Sequence, residues 1–195
     1  MAGPNVAVYS IAKIFRDYII DANGLTSKNS YKHAATKLER LEFGLSDVVA
    51  FTGMVSGQYF SDKANYWTAG IFVSAAINKI IKRDETVTLE FSSLGCAADC
   101  IGYGLDCGNL VLQGDAGDYL GEEMSGGTIT VLGNAGYYLG FCMSGGQITV
   151  HGDAGGHLGT YMSGGLIDVH GRIGSVADSC KGRICQNGCK RDFHR

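Results

Sequence analysis

A 19-residue period governs the second half of this chain. Written in register, Gly95–Gln113, Gly114–Leu132, Gly133–His151 and Gly152–His170 follow one template with no insertion. The last three copies share Gly-[Asp/Asn]-Ala-Gly-x-[Tyr/His]-Leu-Gly-x-x-Met-Ser-Gly-Gly-x-Ile-x-Val. A fixed period near 20 residues marks a solenoid, in which each repeat is one coil stacked on the next.

Columns of the repeat show which side chains point inward. Thr128-Ile129-Thr130-Val131 alternates polar and apolar, as does Gln147-Ile148-Thr149-Val150, the period-2 pattern of a strand with one buried face. Stacked coils then build ladders: Leu110/Ile129/Ile148/Ile167 and Leu112/Val131/Val150/Val169 from the strands. The glycine-rich half adds Ala97/Ala116/Ala135/Ala154, Ile101/Leu120/Leu139/Leu158 and Leu105/Met124/Met143/Met162. Each Met-Ser-Gly-Gly supplies two glycines for a sharp turn, and Gly117/Gly136/Gly155 and Gly121/Gly140/Gly159 fit other corners. Helix is disfavoured, since each interior glycine costs about 1 kcal/mol against alanine. Coils at strand spacing make a rod about 20 Å tall. The fold expected is a mainly β chain, a single-stranded parallel β-helix over 95–187.

A fifth coil starts at Gly171, but Lys181-Gly182-Arg183-Ile184 arrives two residues early and the pattern then dissolves. Terminal repeats are atypical because they cover an open core and an unpaired edge. Residues 188–195 read as a basic tail. Glycine divides the chain: 24 of 30 lie from Gly95 onward, so 1–94 is a region of another kind. There, Gly70–Lys82 and Ser30–Leu41 read as helices and Thr86–Phe91 as a strand leading into the first coil. Residues 1–94 are expected to be a smaller α+β region capping the β-helix.

A net charge of −3 and a pI near 5.9 argue against general nucleic-acid binding. Arg16 and Asp17 interrupt the early apolar stretch, so no signal peptide is expected. Tyr66–Ile77, the most apolar window, is too short to span a bilayer. A cytoplasmic protein is the expectation.

Local motifs are weaker than the repeat. Cys96, Cys100 and Cys107 fall in the first coil; Cys180, Cys185 and Cys189 lie at the far end. Either trio is a candidate metal site, although neither has Cys-x-x-Cys spacing, and packing is the simpler reading. Cys142 shares a column with Glu123 and Tyr161, as a variable corner residue. His151 and His170 occupy equivalent outward positions about 5 Å apart, with Asp168 on the same face, but Gln113 and Leu132 share their column. Gly102–Gly108 lacks the strand-before, helix-after frame of a dinucleotide loop. Ser125/Ser144/Ser163 lack the Gly-x-Ser-x-Gly frame of a nucleophile elbow. No catalytic, cofactor-binding or metal-ligating residue is therefore assigned.

The copies Gly114–Gly127, 133–146 and 152–165 resemble the GXGXG repeat domain that closes the large subunit of glutamate synthase. Its relatives include one of the subunits of formylmethanofuran dehydrogenase. The resemblance covers Gly95 to Ile184 and implies a right-handed parallel β-helix used as a scaffold. In glutamate synthase the nucleophile is an N-terminal cysteine, whereas this chain begins Met1-Ala2. What the resemblance implies is a non-catalytic structural subunit of an oxidoreductase complex, glutamate synthase-like or alternatively formylmethanofuran dehydrogenase-like. FMN and iron–sulfur clusters would then belong to partner subunits, with no cofactor in this chain. A metal-binding protein using one cysteine trio is the competing class. A ligand site in the N-terminal half, and self-association through coil ends, are left open.

Overall fold

The computed structural model describes residues 6–22, 24–59, 66–91 and 98–190. Four helices come first: α1 (Val6–Ala22), α2 (Ser27–Leu38), α3 (Leu45–Tyr59) and α4 (Tyr66–Ile80). Seven strands follow in one sheet: β1 (Thr86–Glu90), β2 (Asn109–Gln113), β3 (Thr128–Val131), β4 (Gln147–Val150), β5 (Leu166–Val169), β6 (Arg183–Gln186) and β7 (Cys189–Lys190). Their order in space is their order in sequence. The first six run parallel and β7 turns back antiparallel, the signature of a chain winding through about five turns of a β-solenoid.

The expected ladders are the core. Leu110 pairs with Ile129, Ile129 with Ile148 and Ile148 with Ile167, every one fully buried. The Leu112/Val131/Val150/Val169 column and the column from Leu105 through Met162 are buried as well. Bridges between Ala116, Ala135 and Ala154 join the glycine-rich halves of the coils. The first coil is out of phase here: Ala98, not Ala97, bridges to Ala116, and Ala97 itself lies outside the described residues. At the far end Ile167 pairs with Ile184, so the shortened final step seen in the sequence is real.

Two kinds of glycine need separate explanations. Gly127, Gly146 and Gly165, the second of each Met-Ser-Gly-Gly pair, have φ of 67°, 82° and 90°, where a side chain is strained. Gly136 has no such φ. A Cβ there would overlap the Asp118 carboxylate and come within 2.8 Å of the Gly117 carbonyl carbon, so this column is set by close approach between coils and not by a corner.

Residues 1–94 contribute the four helices and β1, and β1 joins the solenoid sheet as its first strand, leading into the first coil as expected. In α1, Ile11, Phe15, Tyr18 and Ala22 face inward at helical spacing, while Arg16 and Asp17 lie on its exposed side. Phe15 meets Phe51 edge-on at 5.3 Å, and Phe72 lies 5.1 Å from Phe15 and 5.0 Å from Tyr18. The Lys79 ammonium donates to the carbonyls of Leu38, Glu39 and Leu41, which satisfies groups that the end of α2 leaves open. Among the described residues no helix is long and apolar enough to cross a membrane.

Helix α4 closes the first coil. Gly70 lets its backbone approach Asp99 so closely that a Cβ would overlap the Asp99 carbonyl. One turn on, the Ser74 hydroxyl lies 3.1 Å from the Cys100 carbonyl; one further, the Asn78 amide donates to the Tyr103 carbonyl at 2.9 Å. Residues at i, i+4 and i+8 thus bring one face of the helix onto the edge of the solenoid.

Candidate functional site

The outer surface of the coils carries the most distinctive chemistry. Strand spacing forces like positions to stack about 4.8 Å apart, so any outward residue type that recurs becomes a ladder. Tyr119, Tyr138 and His157 form one such ladder. Their ring centroids are 4.9 and 5.0 Å apart and each successive pair is tilted by only 9°. Phe141 meets Tyr119, Tyr138 and Tyr161 edge-on at 5.8, 6.4 and 5.8 Å.

The backbone holds these rings in an unusual way. Tyr119, Tyr138 and His157 have φ of 58°, 59° and 61°, and the neighbouring column of Glu123, Cys142 and Tyr161 has 55°, 55° and 56°. Left-handed backbone costs an L-residue roughly 1–2 kcal/mol, so each position depends on hydrogen bonds to the next coil. Tyr119 N–H donates to the Tyr137 carbonyl at 2.9 Å, and Tyr138 N–H to that of Gly156 at 3.0 Å. Cys142 is therefore a corner residue, as its column suggested.

Acidic and amide side chains form ladders of their own between coils, and Asp118 and Glu122 are electrostatic neighbours of Tyr119. Asp115 accepts from Asn134 N–H, Asn134 from Asp153 N–H and Asp153 from Arg172 N–H, at 2.7–2.9 Å. Asp99 serves Asp118 N–H, and Asp118 serves Tyr137 N–H, in a second ladder. These side-chain oxygens explain the recurring Gly-[Asp/Asn] step. Glu122 is buried, and burial pushes its carboxyl up to about 7; burial likewise pushes Asp99 up to about 6. Burial first, then Tyr138 and Glu122, raise the Tyr119 hydroxyl.

Charge is segregated along the chain. Residues 84–171 contain eleven Asp and Glu and not one Lys or Arg. Residues 1–83 hold ten Lys and Arg against six acids, and 172–195 hold six against two. The coils are thus strongly acidic although the whole protein is nearly balanced.

The cysteines are not drawn together as sites. Cys96 lies outside the described residues. Cys100 is fully buried with its Sγ 3.9 Å from the Glu122 carboxylate, and burial, then Glu122, push its thiol up. Cys107 sits against the Ile81 carbonyl, its thiol raised chiefly by Asp106. Cys180 packs on Met162, and burial raises it. Cys185 faces outward beside Asp168 on the next strand, and Cys189 pairs with Gln186 through the backbone of β7. Protonated thiols are poor metal ligands and poor nucleophiles. Among the described residues no group of three or more His, Cys, Asp or Glu is placed to hold a metal ion.

His151 and His170 do meet, with ring centroids 4.7 Å apart, and Asp168 Oδ2 lies 3.8 Å from His170 Nε2. Gly102 and Gly108 take φ of 74° and 75° as corners of the first coil. Two shallow grooves lie elsewhere on the surface. One of 240 Å³ between α2 and α4 is lined by Tyr31, Glu39, Asn78 and Lys79, and the Lys79 charge there is already taken by three carbonyls. The other, of 330 Å³, is lined by Arg83, Asp106, Cys107 and Thr128 at the corner of the first coils. Comparison of the chain with protein-family models, with curated proteins and with solved structures returned no match.

The aromatic ladder escapes a reading that follows inward columns only. Its signal is present all the same: Tyr, Tyr and His recur at one outward position, and the flanking segment has no basic residue.

Proposed function

We propose that this chain is a scaffold: a rigid solenoid that docks a partner through the aromatic and acidic face of its coils. The observation that carries this reading is the ordered strip of Tyr119, Tyr138, His157, Phe141 and Tyr161, in which Tyr161 is 66% exposed; Tyr137, the chain neighbour of Tyr138, is 55% exposed. Aromatic residues are enriched where proteins bind one another, and anchors that are already ordered lose little entropy on docking. Here the rings are fixed by backbone bonds in every coil, so the surface is organised before a partner arrives.

The setting we propose is an oxidoreductase complex of the glutamate synthase kind. It rests on the Gly-Asp-Ala-Gly…Met-Ser-Gly-Gly repeat and its resemblance to the GXGXG domain. In that setting the partner subunits hold flavin and iron–sulfur clusters, and this chain supplies shape. Isolation of the native complex under anaerobic conditions, followed by mass spectrometry, tests it. Flavin- and glutaminase-type subunits are the expected companions. Formylmethanofuran dehydrogenase subunits would move the scaffold to that enzyme, and a homo-oligomer without companions would overturn both settings.

A further inference from the structure

The scaffold reading leaves open what kind of surface the strip accepts, and the charge distribution answers that. A surface drawn from 88 residues without a Lys or Arg repels nucleic acid and anionic membrane alike. Glu123 is exposed and heads the same corner ladder that continues through Cys142 to Tyr161. Its charge, with that of Glu122, reaches the Cys142 thiol and raises it further after burial has done so. Among the described residues no Lys or Arg forms an ion pair with Asp118, Glu122 or Glu123. The strip therefore combines open aromatic rings with carboxylates that no basic side chain neutralises.

We infer that the Tyr119–Tyr138–His157 face binds an arginine-rich segment of a partner protein, with Tyr137 and Tyr161 as ring anchors and Glu123 and Asp118 as charge partners. This rests on the scaffold reading above. The guanidinium group is planar and weakly hydrated, and it stacks on aromatic faces while donating to carboxylates in a fork. Lysine has the charge without the plane. Glu123 and Tyr161 stand two coils apart, about 10 Å, which roughly three residues of extended chain span. One short segment thus engages a carboxylate and an aromatic anchor together.

The test uses the full chain and a nine-arginine peptide, with nine-lysine and nine-glutamate peptides as controls. Binding is followed by fluorescence anisotropy at low and moderate salt, and the contact surface by amide chemical shifts. The diagnostic variant is Tyr137→Ser with Tyr161→Asn, which keeps the charge unchanged and places at 161 a residue that tolerates left-handed backbone. The arginine peptide is expected to bind more tightly than the lysine peptide, to shift amides around residues 119–123, 137–142 and 157–161, and to lose at least tenfold in affinity to the double variant. Glu123→Gln is expected to weaken binding severalfold and to flatten its salt dependence. Arginine binding that the double variant leaves intact would reduce the effect to bulk charge and overturn the inference, as would shifts centred elsewhere. Salt-sensitive self-association that the double variant abolishes would replace the partner by a second copy of this chain. Capture of the native complex separates the two readings. A partner held equally by wild type and double variant sinks this inference and leaves the scaffold standing, whereas no partner on wild type sinks the scaffold itself.

Discussion

The two ends of the solenoid solve one problem by opposite means. Any stack of coils ends in an open core and a row of unpaired backbone groups. At the first coil, a whole helix is laid across the opening, and its Gly70, Ser74 and Asn78 meet the Asp99, Cys100 and Tyr103 backbone one by one. At the last coil the sheet folds back on itself. Asn187 and Gly188, with φ of 54° and 69°, make the two-residue turn that joins β6 to β7. Ile173 and Val176 remain only half-buried there. One end is sealed by long-range packing, the other by a local turn, and the costs of damage differ accordingly.

The largest effect is expected at the helical end. Gly70→Val drives a side chain into the backbone of Asp99, which cannot swing aside, and is expected to cost about 3 kcal/mol in denaturant unfolding. A loss under 1 kcal/mol would mean that α4 is loosely seated. Asn78→Ala is next: it strips the donor from the Tyr103 carbonyl and from the Tyr31 hydroxyl, and is expected to cost about 2 kcal/mol. Amide exchange in the first two coils reports whether the loss is local.

The same junction has a pH signature in two buried carboxyl groups. Glu122 stands at about 7 in the folded protein, against about 4.3 for an ordinary glutamate. The folded state therefore holds a proton that the unfolded chain releases. The stability this contributes is complete below about pH 4 and is lost as pH rises through about 7. Asp99, at about 6, acts in the same direction. Glu122→Gln is expected to melt higher than wild type at pH 8 and to show a flatter pH profile; superimposable profiles would show the carboxyl to be well solvated. Smallest is Gly188→Ala at the turn, expected to cost about 1 kcal/mol and to raise amide exchange in β6 without touching the first coils.

The contrast also marks what a sequence displays. Inward positions of the coils are legible because each must match its neighbour above and below, so Ile129, Ile148 and Ile167 repeat what Leu110 begins. The closing turn carries its conformation locally in Asn187-Gly188, yet a boundary drawn after 187 divides it and gives Gly188 and β7 to a tail. The cap is not legible, because Phe15, Phe51 and Phe72 meet across separate helices and nothing in one helix announces the others. Helix α1 has the right spacing, yet Arg16 and Asp17 draw attention as interruptions of an apolar run when they are simply its exposed side. The aromatic face lies in outward columns, where no core demands a match and a recurring ring is easily passed over. Left-handed backbone at Tyr119 and Tyr138 also has no counterpart in residue preference, since glycine is what such a position ordinarily calls for.

The uneven steps at the two ends have a kinetic meaning. Thr128 sits opposite Gln147, and Gln147 opposite Leu166, at one constant offset, so the middle strands are nearly interchangeable. A folding chain that paired β2 with β4 and looped out β3 would satisfy almost every inward contact. Only the outermost pairings break that degeneracy: Thr86 with Asn109 needs a longer connection, and Leu166 with Arg183 a shorter one. These irregular joints act as start and stop marks, and the coils between them find their frame by counting inward from either mark.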